Sequence, residues 1–269
     1  MNNALTKASF TKVPEILAVF WITKVATTAM GETTSDWMNG FFGPAIAIPL
    51  MLIALVWTLR RQLRAERYEA WTYWGVVVMV AVFGTSAADA LHVGLGVPYV
   101  ASTIFYGLIL AAILVAWHRS EGTLSIHSIY TRRRETFYWA TVLATFALGT
   151  AAGDMTATSL HLGYLDSIAV FAALIAIPFA GYRWFGMNEV LAFWAAYVLT
   201  RPLGASVADW AAVEPHRGGL GLGAGGVSAI LVVVVFLLVR HLARTRRDVR
   251  EEQLESEGAA VEAFAPGRA

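Results

Sequence analysis

The residues that could do chemistry are carboxylates at a fixed spacing. A Trp, nine residues, a Gly, four residues and an Asp recur four times: Trp21–Gly31–Asp36, Trp74–Gly84–Asp89, Trp139–Gly149–Asp154 and Trp194–Gly204–Asp209. An aromatic residue precedes each Trp (Phe20, Tyr73, Tyr138, Phe193). Each copy sits in an apolar stretch long enough to cross a bilayer, where a carboxylate costs several kcal/mol unless it is paired or used. Four such Asp imply one shared polar site. The position four before each Asp shares its helix face and holds Glu32, Thr85, Thr150 and Ala205. Two copies add imidazole, in Asp89-Ala-Leu-His92 and, seven residues after Asp154, at His161. Asp89, His92, Asp154 and His161 form a candidate metal-ligand set, since carboxylate and imidazole without sulfur suit a hard or borderline cation such as Mn²⁺, Zn²⁺ or Mg²⁺, or a proton. Fixed bases occur in the outer copies only. Lys24 and Arg201 are expected as counter-charges to Glu32, Asp36 or Asp209.

The elements that must position these groups are membrane helices. The 269 residues are 57% hydrophobic and 14% charged, with mean hydropathy +0.58, against roughly 25% charged in soluble domains. The fold class read from this is an all-α integral membrane protein. Apolar stretches predict eight transmembrane helices, at 13–36, 43–59, 71–93, 98–118, 137–161, 166–185, 188–212 and 219–241, with one motif on each odd member. They group into four parallel two-helix repeats, about 12–69, 70–135, 136–189 and 190–241, within one transmembrane domain spanning 1–241. Residues 242–269 read as a disordered cytoplasmic tail. Arg60, Arg61, Arg64 and Arg67, Arg119 and Arg132 to Arg134, and Arg240 to Arg250 place the basic loops on one side, so both termini are expected in the cytoplasm. At about 1.5 Å rise per residue the Gly lies about 15 Å and the Asp about 22 Å beyond the Trp, so parallel repeats bring the four Asp to one level. The aromatic–Trp pairs are expected as interface anchors. Absence of Cys excludes disulfides and thiolate metal sites. Gly221-x-Gly223-x-x-Gly226 matches a dinucleotide fingerprint only in letters, because it follows no strand. Nucleic-acid binding is not expected.

The fourfold pattern resembles a bacterial family of multi-spanning membrane proteins built from a repeat of unknown function. Lys12 to Lys24, followed by Thr27 to Asp36, looks like that family's first repeat, and the likeness runs from residue 12 to about 241. It implies a bacterial inner-membrane protein and names no activity.

The leading functional expectation is transport of a small cation, a divalent metal ion or a proton-coupled one, through an intramembrane ring of Asp36, Asp89, Asp154, Asp209, Glu32, His92, His161, Thr85 and Thr150. Alternatives are transport of a small organic or anionic solute, and an intramembrane metal-dependent hydrolase acting on lipid with Ser159 and the histidines. No resident cofactor is expected, and a divalent ion would be substrate. The expected partners are the bilayer, the transported solute and a second copy in a homodimer.

Overall fold

The computed structural model describes residues 10–251, Gln253 and Glu255. Among them are eight long helices and no strand: α1 (Ala18–Phe42), α2 (Pro44–Arg64), α3 (Ala70–Asp89), α4 (Tyr99–Glu121), α5 (Arg132–Asp154), α6 (Gly163–Trp184), α7 (Glu189–Ala212) and α8 (Ala224–Thr245). Six of them, all but α1 and α5, are long and apolar enough by composition to cross a membrane. The fold is that of a helical, multi-pass membrane protein. The other two carry charged residues, Lys24, Glu32 and Asp36 on α1 and the Arg132–Arg134 run on α5.

The helices form two layers. The motif-bearing helices close a ring, α1 on α3, α3 on α5, α5 on α7 and α7 back on α1. Outside it, each even helix leans on the motif helix that follows it in sequence: α2 on α3, α4 on α5, α6 on α7, and α8 around to α1. The outer helices present their apolar side chains outward (Ile53 67% exposed, Leu108 66%), as expected for a surface facing lipid rather than water. The inner helices bury theirs.

The motif glycines hold the ring together. A Cβ on Gly31 would fall 2.3 Å from the Cβ of Ala81, and one on Gly84 would fall 2.8 Å from the Cβ of Phe146. At Gly149 it would meet Arg201 Cγ at 2.1 Å, and at Gly204 Thr28 Cγ2 at 2.6 Å. Thr28, Ala81, Phe146 and Arg201 each lie eight residues before their own Asp. The same motif position of the next helix therefore docks on every Gly, and this close small-residue packing sets one axial register for all four copies.

The aromatic pairs repeat the pattern one layer further along. Phe20 packs on Trp74 at 5.6 Å, Tyr73 on Trp139 at 5.4 Å, Tyr138 on Trp194 at 6.1 Å and Phe193 on Trp21 at 5.7 Å between ring centroids. All of these rings but the partly exposed Trp21 are buried inside the bundle (Trp74 1% exposed), which corrects their reading as interface anchors: the outer helices cover the level at which they stand.

Several element boundaries differ from those expected, and two of the differences have a visible cause. Residues 11–17 are irregular chain rather than the start of α1, because their backbone is held from outside: the Lys12 amide donates to Ile129, the Tyr68 amide to Thr11, and the Glu15 amide to Asp248. The segment expected as tail from 242 begins as the last turn of α8, and Asp248 beyond it is buried and accepts a hydrogen bond from Tyr68. Residues 256–269 lie outside the described residues.

Candidate functional site

Stepping four residues at a time along each inner helix keeps to one face, and the ring arrangement turns that face inward. From one end, the levels are the aromatics Phe20, Tyr73, Tyr138 and Phe193; then Lys24, Val77, Val142 and Tyr197; then Thr28, Ala81, Phe146 and Arg201; then Glu32, Thr85, Thr150 and Ala205; then the four Asp. The first four levels are buried almost throughout. At the fifth, Asp36 is exposed and Asp89, Asp154 and Asp209 are partly so. The polar interior is thus open at its Asp end and sealed at its aromatic end, where the Tyr73 and Tyr138 hydroxyls meet at 2.5 Å.

Arg201 ties the four helices together at the floor of this opening. Its Nη2 shares two N–H groups among three acceptors, Glu32 Oε2 on α1 at 2.5 Å, Thr150 Oγ1 on α5 at 2.5 Å, and Thr85 Oγ1 on α3. Thr85 in turn donates to Glu32 at 3.1 Å. These partners are the position four before Asp in the first three repeats. The fourth repeat has Ala205 there, and its small side chain leaves room for Arg201, one turn earlier on the same helix, to reach the centre. Arg201 Nε and Nη1 make no hydrogen bond among the described residues.

Beyond this floor lies a carboxylate cluster. Ligand oxygens of Glu32, Asp36 and Asp209 lie within 4.8 Å of one another, close enough to share a cation. Asp89 and Asp154 stand within electrostatic reach of the same group. The expected Arg201–Glu32 ion pair is present. Lys24 is placed differently: no described carboxylate pairs with it, and its Nζ sits 4.3 Å from both the Phe146 and Tyr197 ring centroids, with Thr28 Oγ1 at 3.4 Å. An aromatic cage stabilises an ammonium where no acid is within reach, and one turn of helix more would be needed to bring Lys24 to Glu32.

The histidines do not join the site. Directly after Asp89 and after Asp154 the helix widens into π turns, at Ala90–Gly94 and Met155–Ser159. His92 is rotated toward α4, with its ring 4.2 Å from Tyr99 and 3.2 Å from Ser102 Oγ. His161 follows the second π turn with φ 56°, exposed, its Nδ1 against the Ser159 carbonyl. The expectation that Asp154 and His161 share a face required a regular helix through 161, which the π turn breaks. The set Asp89, His92, Asp154 and His161 is therefore corrected as a metal site: among the described residues the carboxylates that converge are Glu32, Asp36 and Asp209. π turns beside functional groups are common, and here they end both helices at the Asp level.

The role of Arg201 as a hub for all four copies, and that of the position eight before Asp, were not read from the sequence. Aligning the four copies at that position would have set Thr, Ala, Phe and Arg side by side against four glycines.

No curated protein and no solved structure matches the chain. A family model described as a Repeat of Unknown Function (DUF347) matches four times, over residues 19–68, 72–123, 137–187 and 192–248. The matched segments cover each motif with its outer helix, so the chain belongs to this four-repeat family.

Proposed function

We propose that the protein carries a small cation across the membrane, taking it at Glu32, Asp36 and Asp209 from the open Asp end of the inner bundle. The observation that carries this reading is the convergence of those three carboxylates at the end of the inner bundle where Asp36 is exposed, the far end being closed by packed aromatic rings. A ligand set of carboxylate and hydroxyl oxygens without imidazole or sulfur favours a hard divalent ion, Mg²⁺ or Mn²⁺, over Zn²⁺.

In this reading Asp36 and Asp209 supply the charge that draws the ion in, with Asp89 and Asp154 adding to the field. Glu32 is shared between Arg201 and the ion. Arg201 cancels part of the negative charge, so the ion is held loosely enough to leave, and protons taken up by the carboxylates replace it on release. Passage past the Arg201 level requires that guanidinium to part from Glu32, Thr85 and Thr150, which makes it the natural barrier of the pathway.

The topology that accompanies this reading has eight crossings as four parallel repeats in a bacterial inner membrane. Both termini and the basic loops lie in the cytoplasm and the Asp level faces outward. The hydrogen bonds from residues 11–17 to Tyr68, Ile129 and Asp248 support a common side for these segments, and the Arg and Lys distribution supports its being the cytoplasm.

The test is flux into proteoliposomes holding a divalent-sensitive dye and a pH dye, wild type beside Asp209→Asn. Uptake of Mn²⁺ or Mg²⁺ that the substitution abolishes supports the reading. Well-folded protein that moves none of Mn²⁺, Mg²⁺, Zn²⁺, Co²⁺ or H⁺ overturns it.

A further inference from the structure

A cavity away from the axis lies on the flank of the bundle between α1, α6 and α7. Its volume is about 740 Å³, within the about 300–1,000 Å³ of ordinary small-molecule sites. The walls are aromatic and aliphatic, with Trp21 and Phe193 from the inner layer and Phe179 and Tyr182 from α6. The polar end is formed by Glu15 and Glu189, with His127 beside them.

The charge at this mouth identifies the occupant. Glu15 pairs with Arg250 at 2.6 Å, and Arg250 is not among the residues that line the cavity. Glu189 pairs with His127 at 3.1 Å and keeps 61% of its side chain exposed. Arg250 also hydrogen-bonds the His127 ring at Nδ1, so one guanidinium stands against two carboxylates, and Glu15 and Glu189 are the charged groups that line the cavity. An anionic phospholipid lying in the groove would bring a net negative head against Glu15 and Glu189, an arrangement that repels. A ligand with an apolar body and a positive charge meets the aromatic faces and the carboxylates together.

The geometry points to a binding site for an amphipathic organic cation in this groove, its aromatic or alkyl body between Trp21, Phe193 and Phe179 and its charge toward Glu189. The site is separate from the Asp level, on the outer flank of the α1–α7 seam whose inner face carries Lys24 and Arg201. It stands whether or not the inner bundle carries metal ions.

The full chain in phosphatidylcholine nanodiscs is titrated with tetraphenylphosphonium, with tetraphenylborate as an anion of the same shape. Saturable binding of the cation, weakened about tenfold by Glu189→Gln and similarly by Tyr182→Ala, is the expected result. Both variants alter exposed side chains, and thermal unfolding alongside verifies that they fold. Equal affinity for tetraphenylborate, or binding unchanged in both variants, overturns the proposal. Loss of cation binding when phosphatidylethanolamine replaces phosphatidylcholine assigns the groove to membrane lipid and overturns it too.

Discussion

Glu32 and Arg201 stand 169 residues apart in sequence and 2.5 Å apart at the centre of the bundle, and both are buried. Their ion pair joins the first inner helix to the last and closes the ring on its polar side. Removing one partner of a buried pair leaves an uncompensated charge, which costs about 3–5 kcal/mol, whereas replacing both by neutral groups is often close to neutral. Arg201→Met is therefore expected to lower the thermal unfolding temperature in detergent sharply, and the double variant Arg201→Met with Glu32→Gln to recover most of that loss. A double variant no more stable than the single would show that Glu32 is held by something other than Arg201.

The glycines make a second, purely steric prediction. Gly149→Ala places a methyl group 2.1 Å from Arg201 Cγ, and neither the helix backbone nor an arginine anchored at three acceptors can yield cheaply. Overpacking of this kind costs about 1–3 kcal/mol. Gly75 lies on α3 with nothing within 4 Å of an added Cβ, so Gly75→Ala should be neutral or mildly stabilising through helix propensity. Unfolding curves of the two variants against wild type separate the motif glycine from an ordinary helical one.

The common register of the four copies was legible in the sequence because the spacing from Trp to Gly to Asp never changes, and the same position docks on the Gly of every neighbouring copy. The aromatic pairs misled because their level near the ends of apolar stretches is where interface anchors usually stand, and nothing local reveals that a second layer of helices covers them. The histidines misled for a different reason: a π turn leaves no mark in a hydrophobic pattern, yet it rotated His92 onto Tyr99 and ended the helix before His161. Lys24 carries the same lesson, since its partners Phe146 and Tyr197 come from two other repeats and only the ring arrangement brings them to it.

The segment after α8 should respond to pH. Burial pushes the Asp248 carboxyl up, against the hydrogen bond from Tyr68, which favours the charged form. The Tyr68 phenol is itself pushed up by burial and by this carboxylate, so it remains the donor. An acid raised in the folded state contributes most when protonated: its contribution is complete below the unfolded value of about 3.9 and is lost as pH rises through the folded one. Relative to Asp248→Asn, whose amide does not titrate, wild type should lose thermal stability as pH is raised from about 4. A difference between the two that stays flat with pH would show that Asp248 ionises in the folded protein as freely as in the unfolded chain.

The carboxylates and the histidines can be told apart directly. If the cation is held by Glu32, Asp36 and Asp209, then Asp36→Asn should abolish divalent uptake while His161→Ala leaves it unchanged, since His161 is exposed and, among the described residues, bonds its own loop. His92→Ala should cost stability through the loss of its contacts with Tyr99 and Ser102 yet retain uptake per folded molecule. Asp36→Asn should also remove Mn²⁺ binding measured calorimetrically on the purified protein, because one of only three converging carboxylates would have lost its charge. The opposite pattern, with uptake lost in His92→Ala and kept in Asp36→Asn, would place the ion at the π turn of α3 and not at the floor built by Glu32 and Arg201.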